Sequence, residues 1–135
     1  MGKPVRATYF KIRLEDRPGA LLAVAKDLKS QNLGLVGLWG YATHSGEAEL
    51  YLIAKNPDKV RNAWKPSGKI VEEGTGFLLK GTDKTGALIK SLETIANAGI
   101  NIVAMNGIAV GGKYGSFVWV APSDVEKCAQ ALGSK

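Results

Sequence analysis

The chain repeats itself at an interval of 67 residues, and this period restricts the fold more than any other feature. Asp16-Arg17-Pro18-Gly19-Ala20-Leu21-Leu22 is echoed by Asp83-Lys84-Thr85-Gly86-Ala87-Leu88-Ile89. The same interval aligns Phe10 with Phe77, Ile12 with Leu79, Leu28 with Ile95, Leu33 with Ile100 and Val36 with Val103. It also aligns the run 50–54 with 117–121. A period this long is a small domain, not a solenoid repeat. Two units are expected, residues 1–74 and 75–135.

Each unit resolves into elements. In residues 5–14, Thr8, Phe10, Ile12 and Leu14 alternate with Tyr9, Lys11 and Arg13, the period of a half-buried strand. Asp16-Arg17-Pro18-Gly19 reads as a turn and helix start, with proline favoured in the first helical turn. Leu21, Val24, Ala25 and Leu28 then recur at helical spacing, to about Asn32. Residues 33–42 and 47–54 predict a hairpin across Thr43-His44-Ser45-Gly46. Pro57-Asp58 opens a short helix to about Trp64, and residues 69–73 follow as a fourth strand.

The second unit runs the same way. Residues 76–81 predict a strand and 86–98 a helix with Leu88, Leu92 and Ile95 inward. Residues 100–110 and 114–121 predict a hairpin turning at Gly111-Gly112, and a last helix, capped by Ser123 or Asp124, ends at Gly133. No fourth strand follows. The order βαββαβ closes as a ferredoxin-like antiparallel sheet with both helices on one face. The expected fold is therefore α+β: two such repeats side by side, sharing an antiparallel sheet, the second lacking its fourth strand. That lack predicts an exposed edge from Gly76 to Gly81. Exposed edges invite pairing, so a second copy of the chain is expected to cover it.

Composition excludes several classes. With 45% hydrophobic and 22% charged residues, the chain is not largely disordered. Its longest uncharged stretch, 94–112, carries three Asn and four Gly and so lacks the roughly 18–20 predominantly apolar residues of a membrane span. Arg6, Lys11 and Arg13 interrupt any apolar leader, arguing against a secretory signal. A single cysteine, Cys128, excludes an internal disulfide and a multi-cysteine metal site. A reducing, cytoplasmic setting is the default expectation. The net charge of +6 is dispersed, with no basic run of the kind that marks a nucleic-acid patch.

The D-R-P-G-A-L-L turn after a strand, followed by the Leu33-Gly34-Leu35-Val36 strand, resembles an ACT domain. The second copy, D-K-T-G-A-L-I with Gly99-Ile100-Asn101-Ile102-Val103, is similar, and the resemblance to stand-alone tandem ACT proteins covers nearly the whole chain. That family consists of small modules that bind amino acids and regulate metabolic enzymes. It implies pairing of modules through their second strands, with ligand at the seam. Here it implies a pair formed within one chain and two pockets. One joins the loop of Asp16, Arg17, Pro18, Gly19 and Ala20 to Asn101. The other joins the loop of Asp83, Lys84, Thr85, Gly86 and Ala87 to Gly34. Where some amino-acid-binding members carry a polar ring side chain, this chain has Leu14 and Gly81, and Thr85 replaces the usual proline.

The loop chemistry suits a zwitterion independently. A helix start offers free N–H groups and partial positive charge to a carboxylate. Gly19 and Gly86 allow close approach to the backbone. Asp16 and Asp83 match an ammonium, and Asn101 offers both a donor and an acceptor. The first pocket, with Asp16 opposite Asn101, is expected to be the better site. The plain alternative is that each aspartate only caps its helix.

Other motifs carry less. His44 in a hairpin turn has no ligand-spaced partners, and Cys128 beside Ala129 and Leu132 reads as a packing residue. Glu15-Asp16 and Glu72-Glu73 are adjacent carboxylates, which strands point to opposite faces. Gly111-Gly112 lies between strands, without the helix a phosphate loop requires. The RNA-recognition fold shares this element order. Lys113, Phe117 and Val118 match its third-strand signature, but Gly115 stands where an aromatic should, and residues 46–51 are acidic. The sequence thus predicts a non-catalytic amino-acid-binding regulatory protein, cytoplasmic, without cofactor or metal, homodimeric, with a possible partner enzyme. The alternatives are a structural module without ligand or an RNA binder.

Overall fold

A computed structural model describes residues 3–43 and 45–134; His44 lies outside the described residues. The elements are β1 (Val5–Glu15), α1 (Ala20–Ser30), β2 (Leu35–Ala42), β3 (Glu47–Ala54), α2 (Pro57–Trp64), β4 (Ile70–Thr82), α3 (Ile89–Asn97), β5 (Ile102–Val110), β6 (Lys113–Val120) and α4 (Val125–Leu132). Hydrogen-bonded neighbours run β2-β3-β1-β4-β6-β5. The chain divides into two compact units, Thr8–Gly74 and the part from Thr75 onward joined by the N-terminal segment through Ala7.

Each unit is a ferredoxin-like α+β fold with its own core. In the Thr8–Gly74 unit the strand order is β2-β3-β1-β4. Phe10, Ile12, Leu50 and Leu52 meet Val24 and Leu28 of α1 and Val60 and Trp64 of α2. Alternation places Phe10 opposite Leu52 and Ile12 opposite Leu50 on one face, so one strand pair delivers four apolar side chains to the helices. Asn56 caps α2, its side chain accepting from the Lys59 amide, with Pro57 at the first helical position. In the other unit the order is β5-β6-β4-β1, and Phe77, Leu79 and Val118 pack on Ile95, Cys128 and Ala129. Gly133 ends α4 in the left-handed conformation, and positive φ at Gly111 and Gly112 closes the β5–β6 hairpin.

Three expectations are corrected. First, no strand follows α4 among the described residues, but the fourth position is filled. Residues 5–7 of β1 belong to this unit, and Arg6 donates both terminal nitrogens to the Glu126 carboxylate on α4, at 2.8 and 2.9 Å. The stretch Gly76 to Gly81 is therefore no open edge for a second chain: β4 lies between β1 and β6. Second, residues 69–73 and 76–81 are not separate strands. β4 runs unbroken for 13 residues. The glycines that suggest a break make room for rings: a Cβ on Gly74 would lie 2.6 Å from the Tyr9 ring, and one on Gly76 would collide with Phe117. Third, the helices begin later than expected. α1 starts at Ala20 with left-handed Gly19 as its N-cap, leaving Pro18 in the turn before it. α3 starts at Ile89 behind a turn held by Ala87 N–H to Lys84 O and Ile89 N–H to Gly86 O, both 3.0 Å. Thr85 does not fix φ there as Pro18 does.

Among the described residues, β2 has only β3 and β5 only β6 as strand neighbour, so the pairing of β2 with β5 implied by the resemblance is not among the strand pairs. Both strands are uncharged and expose apolar side chains: Val36, Leu38 and Tyr41 on β2, Val103, Met105, Ile108 and Val110 on β5.

Candidate functional site

The loops after β1 and β4 are built alike. The Asp16 amide donates to the Gly46 carbonyl at 2.9 Å, and the Asp83 amide to the Gly112 carbonyl at 2.9 Å. Each loop is thus pinned to the hairpin turn of its own unit. Gly19 and Gly86 take φ values of 87° and 80°, which only glycine adopts freely. Neither aspartate caps its helix: α1 and α3 have Gly19 and Leu88 at the N-cap, with no side-chain hydrogen bond. Capping therefore does not explain either carboxylate.

The loops differ in what surrounds them. Arg17 turns back on its own loop, its Nε donating to the Glu15 carboxylate at 2.6 Å. At the second loop a cavity of about 390 Å³ opens. Asp83, Lys84, Gly86 and Ala87 form its loop wall. Leu88, Ile89 and Leu92 form the helical wall, and Gly107, Ile108 and Ala109 of β5 the strand wall. Tyr114 of β6 completes the lining. At this volume the cavity sits at the small end of ligand pockets, which span roughly 300–1,000 Å³. Asp83 and Lys84 bring opposite charges to one wall; the rest is aliphatic apart from the Tyr114 phenol.

The predicted residues therefore divide. Asp83, Lys84, Gly86 and Ala87 share one cavity within one unit, whereas Thr85 and Asn101 do not line it. Asn101 is exposed just ahead of β5, and Gly34 is exposed just ahead of β2. Asp16, Arg17, Pro18 and Gly19 are exposed, and Ala20 is buried. Sequence reasoning missed Tyr114 and the β5 wall. The Gly-Gly turn does set Ala109 opposite Tyr114, but only the β4–β6 register puts Tyr114 opposite Gly81.

The remaining motifs resolve as packing or ion pairs. Cys128 is fully buried, and burial pushes its thiol pKa up. Glu72 accepts from the Tyr9 hydroxyl at 2.7 Å, while its neighbour Glu73 faces Arg61, as strand alternation requires. Phe117 and Trp119 are 1% and 8% exposed, so they offer nucleic-acid bases no open stacking platform. Among the described residues no three His, Cys, Asp or Glu side chains gather as metal ligands. No helix among them is long and apolar enough to cross a membrane.

The same fold recurs in solved structures. Protein BT0572 from Bacteroides thetaiotaomicron is 25% identical, with a TM-score of 0.76 over 98% of this chain and 90% of that one. The ligand-free regulatory subunit of aspartate kinase from Thermus thermophilus is 16% identical, with a TM-score of 0.63 over 96% and 91%. The regulatory subunit of aspartate kinase from Thermus flavus is 13% identical, with a TM-score of 0.60 over 98% and 95%. No family model and no curated protein matches the chain.

Proposed function

We propose that the chain is a non-catalytic regulatory module of the ACT type that binds an amino acid at its strand-to-helix loops. The observation that carries this reading is the cavity at Asp83–Ala87, where a carboxylate, an ammonium and a positive-φ glycine meet an aliphatic wall. A zwitterion needs groups of both signs and an apolar wall for its side chain, and this lining includes Asp83, Lys84 and aliphatic side chains. The likeness in fold to the aspartate kinase regulatory subunits supports the regulatory half of the reading.

The seam implied by the resemblance forms, in this reading, between two copies of the chain. β2 and β5 each carry an open apolar edge, and burying such edges is what drives strand addition. A second copy then brings the loop of Asp16, Arg17, Pro18, Gly19 and Ala20 towards Asn101, and the Asp83 loop with Thr85 towards Gly34. Ligand bound there alters association with the second copy or with a partner enzyme.

A thermal-shift panel of the twenty amino acids tests this, with sedimentation velocity run alongside. At least one amino acid at millimolar concentration should raise the melting temperature and shift the sedimentation profile. A flat panel would replace the sensor by a structural module.

A further inference from the structure

The two units differ at one row of side chains facing their helices. In the Thr8–Gly74 unit, Leu14 of β1 pairs with Ala48 of β3, which pairs with Ala42 of β2. In the other unit, Gly81 of β4 pairs with Tyr114 of β6, which pairs with Ala109 of β5. The bulk has moved from the first strand to the third. Gly81 has no room for more: a Cβ there would lie 2.8 Å from the Tyr114 ring and 3.2 Å from its hydroxyl oxygen. Tyr114 thus occupies the space of the side chain that position 81 lacks, and it lines the cavity beside Asp83.

We infer that Tyr114 is a ligand-contacting residue of the Asp83 cavity, and that the ligand is an α-amino acid with an aliphatic side chain. This rests on the reading of the chain as an amino-acid binder and goes further, naming the unit, the residue and the ligand class. A phenol hydroxyl both donates and accepts, so it can hold either end of a zwitterion beside Asp83 and Lys84. The row Leu14–Ala48–Ala42 offers no polar side chain at all. The opposite walls set the class. Ile89 and Ile108 are 56% and 72% exposed, a cost that an aliphatic ligand side chain between them removes. A charged side chain would be desolvated against Leu88, Leu92 and Ile108 without a partner.

Calorimetric titration of the full chain with leucine, valine, glycine, lysine and aspartate is the test. Leucine or valine should bind more tightly than the other three. Tyr114→Phe should weaken that binding about threefold to tenfold, the loss of one hydrogen bond to the ligand, in a chain whose circular dichroism spectrum matches that of the wild type. Ile108→Lys, at an exposed position, should abolish aliphatic binding in a folded protein, so the test survives if Tyr114→Phe fails to fold. Wild-type affinity in both variants overturns the inference. So does a preference for lysine, aspartate or glycine. Binding lost in Asp16→Ala but intact in Tyr114→Phe overturns it while leaving the amino-acid reading standing. No binding by any amino acid overturns both.

Discussion

Gly81 and Tyr114 face each other across the β4–β6 ladder, and the tyrosine ring fills the volume that any side chain at position 81 would need. The equivalent pair in the other unit, Leu14 and Ala48, holds the same space with the bulk on the opposite strand. Gly81→Leu should therefore destabilise by about 1–3 kcal/mol through overpacking. Adding Tyr114→Ala rebuilds the Leu–Ala pair and should recover most of that loss. Urea melts of both single variants and the double variant measure the coupling, expected to exceed about 1 kcal/mol. Additive effects would mean that the two positions do not compete for space.

Gly74 predicts a similar clash in the Thr8–Gly74 unit. Its missing Cβ leaves room for the Tyr9 ring, whose hydroxyl donates to Glu72. Gly74→Ala should lower stability by about 1–3 kcal/mol, and Tyr9→Ala in the same chain should relieve the clash. Hydrogen bonding to Glu72 and burial both hold the Tyr9 pKa above its ordinary value, burial being the larger cause. Ultraviolet titration of Tyr9 in Gly74→Ala should show that elevation reduced.

Removing residues 1–7 takes away the fourth strand of the Thr75 unit and the Arg6–Glu126 pair. Amide exchange in β4 from Thr75 onward should then speed up by about tenfold or more at the amides that point towards β1, while those that point towards β6 keep their partners. The bared edge should also raise self-association, visible by gel filtration. Unchanged exchange would show that β1 does not complete this unit.

Asp27 on α1 sets a pH dependence. Its carboxylate accepts from Gln31 Nε2 at 2.8 Å, Trp64 Nε1 at 2.9 Å and Lys69 Nζ at 3.2 Å. These donors, the Gln31 hydrogen bond foremost, hold its pKa below the ordinary 3.8. The folded state therefore binds its proton later than the unfolded chain as pH falls. The stabilisation is complete above about pH 4–5 and drains away as pH drops through the folded-state value. Asp27→Asn should lower stability at neutral pH and flatten the acid limb of a stability-against-pH curve. An acid limb as steep as in the wild type would assign it to other carboxylates.

The sequence by itself determined the duplication, the βαββαβ order, the two Asp-to-Gly loops and the core of each unit. Those depend on local periodicity and on turn residues that act within a few positions. α2 shows it: the Asn56 cap and Pro57 at the first helical position start it, and Pro66 with left-handed Gly68 follow its end, all within a few residues of one another. Only tertiary structure decided what lay between the repeats. Gly74-Thr75-Gly76 looks locally like a linker, yet it is the middle of one long strand. A glycine that bends the chain and a glycine that admits a neighbour's ring are the same residue in the sequence. Residues 5–7 likewise alternate with the rest of β1, and nothing local says that they serve the distant repeat. Tyr114 entered the candidate site for the same reason: cross-strand register joins residues 33 positions apart, and that register is set by packing.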